Sequence, residues 1–186
     1  MTKKAIVLLA DGFEEVEAVT PIDYLRRAGI EVTAASISNS LTVTGRWTGI
    51  KVIADVLLSD IVKESGSWDA VIVPGGLPGA DNLAASKETG ALLKSMADSG
   101  RLVCAICASP VIVLAPLGLL AGKKFTCYPG MEEKTKEGSW SGDRVVVDGN
   151  IITSRAAGTT GEFAIAIIKK LLGEEAGNKI AETVLL

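Results

Sequence analysis

Three stretches of this chain are nearly unbroken apolar runs rich in β-branched residues: residues 4–10 (Lys-Ala-Ile-Val-Leu-Leu-Ala), 68–73 (Trp-Asp-Ala-Val-Ile-Val) and 102–106 (Leu-Val-Cys-Ala-Ile). A strand with one face in water alternates apolar and polar residues. These runs do not alternate, so each must be covered on both faces, and that requires helices on both sides of a parallel sheet. The stretch that starts at residue 4 is expected as a central strand. It is broken by Asp11-Gly12 and followed by helical spacing through Val16, Val19, Ile22 and Leu25, with Arg26-Arg27 in the last turn and Gly29 as the C-cap.

The same alternation continues along the chain. Residues 31–36 read as a second strand, and residues 39–56 as short strands with a turn, punctuated by glycine. A helix is expected from about Lys87 to Asp98 and an apolar helix over 110–117. A further strand runs through Phe125-Thr-Cys127. Residues 145–153 (Val-Val-Val-Asp-Gly-Asn-Ile-Ile-Thr) are two β-branched runs joined at Asp148-Gly149, the pattern of a hairpin. An amphipathic helix over 159–172 ends at Gly173, and the tail is helical to about Thr183. The fold class is therefore α/β, a doubly wound sandwich around a mainly parallel sheet with a β-hairpin in the C-terminal part. No repeat or linker divides the 186 residues, which read as one domain, 1–186, with enough apolar residues (48%) for a single core.

The strongest exclusion comes from a missing residue type: the chain has no histidine. Ser-His-Asp and Cys-His arrangements, and any His-ligated metal site, are excluded within it. With 19 basic and 22 acidic residues the formal charge is −3, and no basic run offers a surface to nucleic acid or to an anionic membrane. The expected partner is a small molecule. Residues 3–10 lack the length and flanks of a targeting or membrane segment, and three cysteines without framework spacing fit a reducing compartment, so a cytoplasmic location is expected.

Ligands of doubly wound sheets bind outside the carboxyl ends of the strands. Three loops fall there: residues 11–17, Pro74-Gly75-Gly76 and Cys107-Ala108-Ser109. Cys107 stands between a strand and a helix start read from Ser109 as N-cap and Pro110 as first helical residue. A thiol at that elbow meets unpaired N–H groups and the positive end of a helix dipole, which favour the thiolate. Gly75 and Gly76 leave backbone N–H groups bare for an oxyanion-type contact, although a plain tight turn has the same composition. Glu14 and Glu15 read as charges that complement the helix dipole. Glu17 falls closer to the face expected to be buried with Val16 and Val19. A carboxyl buried beside a thiol stays protonated and donates a hydrogen bond to it. Spacing alone leaves open the alternative that Cys107 is a packed small residue.

These segments also carry a resemblance. Ala-Asp-Gly-Phe-Glu-Glu-Val-Glu17, Val-Pro-Gly-Gly76, Ala-Ile-Cys107-Ala-Ser-Pro, and Thr-Ser-Arg155 with Gly-Thr-Thr-Gly-Glu-Phe163 resemble the DJ-1/ThiJ/PfpI superfamily, in register over nearly the whole chain. The likeness is greatest to its parkinsonism-associated deglycase branch. The resemblance implies a flavodoxin-like homodimer in which Cys107 is an oxidation-prone nucleophile and Glu17 the protonated carboxyl bonded to it. It implies that the amides of Gly76 and Ala108 form the anion pocket, with Gly75 beside them. The implied activity is a cofactor-independent, metal-free glyoxalase acting on small aldehydes such as methylglyoxal, or a protein deglycase with a role in oxidative stress. A redox-sensing, chaperone-like protein switched at Cys107 is the alternative, and a cysteine amidase a weaker one. Two positions depart from the family pattern. Ala108 replaces the His of the protease-like branch, which argues against proteolysis, and Tyr128 stands before Pro129 where the deglycase branch carries His. Proton transfer would then fall to Tyr128, Glu17 or water. Arg155 is a possible accessory residue. Cys104 is expected in the core. Cys127 either resolves a sulfenate on Cys107 or is a packed residue.

Overall fold

The computed structural model describes residues 2–47, 49–61 and 68–186. In chain order its elements begin with strand β1 (Lys4–Leu9), helix α1 (Glu15–Arg27), strand β2 (Glu31–Ser36), the short strands β3 (Thr42–Thr44), β4 (Lys51–Ile53) and β5 (Val56–Leu57), and a single turn α2 (Leu58–Ile61). Strand β6 (Ala70–Val73), helices α3 (Gly79–Ala85) and α4 (Lys87–Asp98) and strand β7 (Leu102–Ile106) follow. Next are strands β8 (Lys124–Phe125), β9 (Ser139–Trp140), β10 (Val145–Asp148) and β11 (Ile151–Ser154), and helices α5 (Thr160–Leu172) and α6 (Glu174–Thr183).

Seven of the strands form one sheet in the order β10-β11-β7-β6-β1-β2-β5, parallel throughout except for the β10–β11 hairpin. The two-sided burial expected of the apolar runs is what the sheet shows. On β1, Ile6 and Leu8 join a core with Leu83, Leu92 and Leu93 of α3 and α4, while Ala5, Val7 and Leu9 join the opposite core with Leu25 of α1 and Phe163 and Ile167 of α5. All of these side chains are fully or almost fully buried, each stabilising the fold by roughly 1.5–3 kcal/mol per large aliphatic or aromatic group. The hairpin turns at Gly149, whose φ of 62° only glycine adopts without strain.

Several local readings are corrected. On α1 the buried residues are Glu17, Ala18, Pro21 and Leu25, whereas Val16 and Val19 are about half exposed. The buried stripe is thus centred one residue away from the valines, and Glu17 lies within it. Pro21, inside the helix, lacks the N–H that would otherwise bond to the Glu17 carbonyl. Ser109 is not a cap. The Ala108 carbonyl already accepts the first helical bonds, from Val111 and Ile112, so helical backbone begins directly after Cys107, and the Ser109 hydroxyl donates to the Pro74 carbonyl at 2.6 Å. The segment behind it is not an α-helix but a π-helical turn (Pro110–Leu114) followed by a 3-10 turn (Ala115–Leu117). The expected strand through residue 127 is shorter and pairs with β9 rather than with the large sheet. The region 39–56 does contain a two-stranded ribbon, β3–β4.

Candidate functional site

The carboxyl ends of the adjacent strands β11, β7, β6 and β1 release four loops side by side, which is why Glu17 and Ala157, far apart in sequence, come together. The loop after β7 carries Cys107, with φ of 66°, a left-handed conformation that costs a side chain with a Cβ on the order of 1–3 kcal/mol. Backbone bonds on both sides hold it there: the Cys107 N–H donates to the Ser154 carbonyl at 2.9 Å, and the Cys107 carbonyl accepts from the Tyr128 N–H at 2.8 Å. The strain turns the thiol out of the sheet and toward α1, against the N–H groups of Gly76 and Ala108.

Glu17 is 1% exposed and meets the thiol from the other side. The first turn of α1 fixes it. The Glu14 carboxylate accepts the Glu17 N–H at 2.7 Å as the helix cap, and the Glu14 N–H donates to the Gly75 carbonyl at 3.0 Å, so the start of α1 is tied to the end of β6. Glu14 is therefore more than a surface charge, and Glu15 likewise accepts the Trp47 N–H at 3.3 Å. Gly75 has a different task from the one expected, because its N–H donates to Glu17 Oε2 at 2.9 Å rather than to the thiol. The Ala157 N–H also reaches the Glu17 carboxyl. Close approach explains both glycines: a Cβ on Gly75 would sit 2.6 Å from Glu17 Oε2 and 2.7 Å from the Cys107 Cβ, and one on Gly76 2.5 Å from the Glu14 nitrogen.

Burial, reinforced by the nearby Glu14 charge, pushes the Glu17 carboxyl up to about 8, against the bonds from Cys107, Gly75 and Ala157. At neutral pH Glu17 therefore holds its proton. The thiol does not show the low value expected of an elbow cysteine. Burial, the Glu17 charge and the hydrogen bond between the two side chains push Cys107 up to about 12, opposed by the Ala108 and Gly76 N–H groups. Two of these three upward causes exist only while Glu17 is ionised. With the proton on Glu17 they vanish, and the carboxyl becomes a donor to sulfur. The two groups thus share their protons as a unit.

Together they line a cavity of about 400 Å³, within the range of small-molecule sites. Gly76, Ala108, Ala156, Ala157 and the buried Met131 supply walls of backbone and apolar groups, and the exposed Trp47, Leu77 and Tyr128 stand at its mouth with Arg46. The Arg46 guanidinium lies 4.2 Å from the centre of the Trp47 ring. Arg46, Trp47, Leu77, Met131 and Ala157 were not singled out from the sequence. The first two reach the cavity because the β3–β4 ribbon is pinned to the loop after β1, the Gly12 N–H bonding to the Thr44 carbonyl and the Arg46 N–H to the Phe13 carbonyl.

The remaining expected residues lie at different removes. Tyr128 faces this cavity and a neighbouring one, and Arg155 lines only the neighbour. Cys127 lines neither; it is fully buried, its thiol donating to Glu132 Oε2 over 3.8 Å. Cys104 is buried within β7, as expected. Among the described residues no group of three or more His, Cys, Asp or Glu side chains is arranged to hold a metal ion, and no helix is long and apolar enough to cross a membrane.

Comparison with known proteins places this arrangement. The model of the DJ-1/PfpI family matches residues 3–170. The chain is 45% identical over 185 residues to protein DJ-1 homolog B of Arabidopsis thaliana, covering all of this chain and 42% of that protein. It is 35% identical over 187 residues to the glutathione-independent glyoxalase DJR-1.2 of Caenorhabditis elegans, covering 99% of this chain and 97% of that one. The chain thus spans less than half the length of the plant relative and nearly all of the nematode one. The structure of oxidized Toxoplasma gondii DJ-1 superposes with a TM-score of 0.95 at 38% identity, covering 99% of this chain and 98% of that one.

Proposed function

This chain belongs to the DJ-1/PfpI family, and we propose that it is a cofactor-independent glyoxalase that converts a small 2-oxoaldehyde such as methylglyoxal to the 2-hydroxy acid through Cys107 and Glu17. The observation that carries the reading is a protonated, almost inaccessible Glu17 bonded to a thiol held in strained backbone at a cavity wall. A full-length relative named as a glyoxalase supports it.

The chemistry balances with two proton transfers, one between carbons and one between their oxygens. With the proton on Glu17, the Cys107 thiolate adds to the aldehyde carbon, and the resulting alkoxide takes the Glu17 proton to give a hemithioacetal. Glu17, now ionised, removes the hydrogen from that carbon to give an enediolate and returns it to the adjacent carbon, while the hydroxyl proton passes from the first oxygen to the second, which leaves the thioester of the 2-hydroxy acid. In the enediolate the charge lies on oxygen, within reach of the Gly76 and Ala108 N–H groups that no longer need to hold a thiolate. Water cleaves the thioester and restores the thiol. Glu17 serves as acid and then as base without a histidine, and Tyr128, which lines the cavity, relays protons to solvent in this reading. A deglycase would use the same thiol, the aldehyde released from an early adduct forming the same hemithioacetal on Cys107.

NMR detection of lactate from methylglyoxal tests this. Wild-type protein should form it, and Cys107→Ser should lower the rate by on the order of 10³-fold or more. Aldehyde loss without lactate would refute the proposal, since hemithioacetal formation alone consumes aldehyde.

A second reading rests on the same donors. Peroxide that oxidises Cys107 to the sulfinate places two oxygens against N–H groups and a protonated carboxyl, a favourable site for an acid anion and the basis of a redox-sensing, chaperone-like role. We further propose a homodimer in the cytoplasm, in which the half-exposed Val16 and Val19 of α1 lie at the subunit contact. Sedimentation as a monomer at micromolar concentration would exclude it.

A further inference from the structure

Beside the thiol cavity lies a second one of about 270 Å³, and the two share Tyr128 and Ala156 as a common wall. The second cavity is cationic. Arg144 and Arg155 line it, together with Gly158 and Thr159, where the chain enters α5. The two arginines differ in what they have left to give. Arg144 is spent: its Nε lies 2.9 and 2.8 Å from the two Glu162 oxygens, and Nη2 donates to the Gly158 carbonyl at 2.8 Å. Glu162 neutralises its charge. Arg155 donates through Nη1 to the Gly142 carbonyl at 3.3 Å, and among the described residues no carboxylate lies within ion-pair distance of it. The positive end of the 13-residue helix α5 adds to the same field.

We propose that Arg155 anchors an oxoanion carried by the substrate, so that the preferred substrates are 2-oxoaldehydes with a carboxylate or phosphate tail, the aldehyde at Cys107 and the tail in the Arg155 cavity. This rests on the glyoxalase reading and deepens it by naming a substrate class. The planar fork of a guanidinium suits either oxoanion, and Tyr128, shared by both cavities, lies along the path between the two ends of the substrate.

The test compares 4,5-dioxovalerate, a 2-oxoaldehyde ending in a carboxylate, with its neutral methyl ester at constant ionic strength. The kcat/KM of wild-type protein should favour the acid by about ten-fold. Arg155→Gln should bring that ratio to about one, and Arg155→Lys, which keeps the charge, should retain part of the preference. A ratio of one in wild type, or a ratio unchanged in Arg155→Gln, overturns the proposal. A second arm needs no turnover: inorganic phosphate should slow alkylation of Cys107 by iodoacetamide in wild type and not in Arg155→Gln. Phosphate protection without any substrate preference would mean a site for free anions and would overturn the substrate assignment. Absence of 2-hydroxy acid from either aldehyde, with phosphate protection intact, would count against the glyoxalase reading while leaving the anion site standing; absence of protection as well would remove both.

Discussion

Cys107 accepts a backbone bond from Tyr128, the residue after Cys127, and each of these cysteines has a glutamate beside it. Burial and that carboxylate push both thiols up to about 12. A list of contacts would not tell them apart. What separates them is the fate of the partner acid and the way out. Glu17 is enclosed and raised to about 8, so the proton rests on the carboxyl, and the thiol faces a cavity. Cys127 is 0% exposed and lines neither of the two cavities described above, while the residue after it, Tyr128, turns to the cavity mouth. A thiol beside a carboxylate is therefore a common structural pairing. It becomes a candidate catalytic pair only where the acid is desolvated enough to hold its proton and the sulfur is accessible.

The sharpest way to break this comparison is to remove the proton-carrying group while keeping its shape. Glu17→Gln should lower lactate formation by on the order of 10²–10⁴-fold, with far less change in the alkylation rate of Cys107. Wild-type turnover in this variant would reduce Glu17 to a packing residue.

The next effect is thermodynamic. The Glu17 carboxyl is raised from 4.5 to about 8, so the native state keeps a proton that the unfolded chain releases. The stability this contributes is fully present below the unfolded value and is lost as pH rises through about 8, a fall of up to about 5 kcal/mol. Urea unfolding between pH 5 and 9 measures it, and Glu17→Gln should flatten that slope. An equal slope in the variant would assign the effect to other groups.

Labelling separates the thiols directly. In the folded protein iodoacetamide should modify Cys107 ~10²-fold faster than Cys104 or Cys127, with a rate that climbs as pH passes about 8, where the Cys107–Glu17 pair begins to lose its proton. Equal labelling, read by mass spectrometry, would show that access does not distinguish them. The smallest effect is expected from Glu132→Gln, which should leave lactate formation within about two-fold of wild type. A large loss there would make the Cys127 side part of the machinery.

The sequence made the sheet legible because residues 4–10, 68–73 and 102–106 carry their burial on both faces, a pattern that needs no knowledge of the partner elements. Cys107, Glu17 and the paired glycines were legible for a related reason: each follows an apolar run, and the ends of such runs share one edge. What could not be read depends on contacts between distant segments. Nothing local says that Phe13 will bridge to Gly45 and so bring Arg46 and Trp47 to the cavity. The exposed Val16 and Val19 imitate a buried stripe, because their spacing is helical whichever face turns inward. Ser109-Pro110 carries a capping signal, but Ala108 already accepts the first bonds and the Ser109 hydroxyl finds the Pro74 carbonyl instead. The reading of Gly75 went astray by one atom's partner, since composition cannot say whether a bare N–H meets sulfur or carboxyl.

The glycines also bear on how such a site could ever be altered. A methyl at Gly12 would meet Pro78 at 2.5 Å, one at Gly76 would meet Glu14 and Gly12, and one at Gly79 would meet Phe13. The loops after β1 and β6 are thus keyed together by missing atoms, like the bitting of a key against its wards. In a randomised library these positions should return almost nothing but glycine, and a change accepted at one would demand simultaneous changes in the other loop. Diversity should instead accumulate at Trp47, Leu77 and Tyr128, where side chains end in open space at the rim, so new substrates would be reached by reworking the doorway while the lock itself stays fixed.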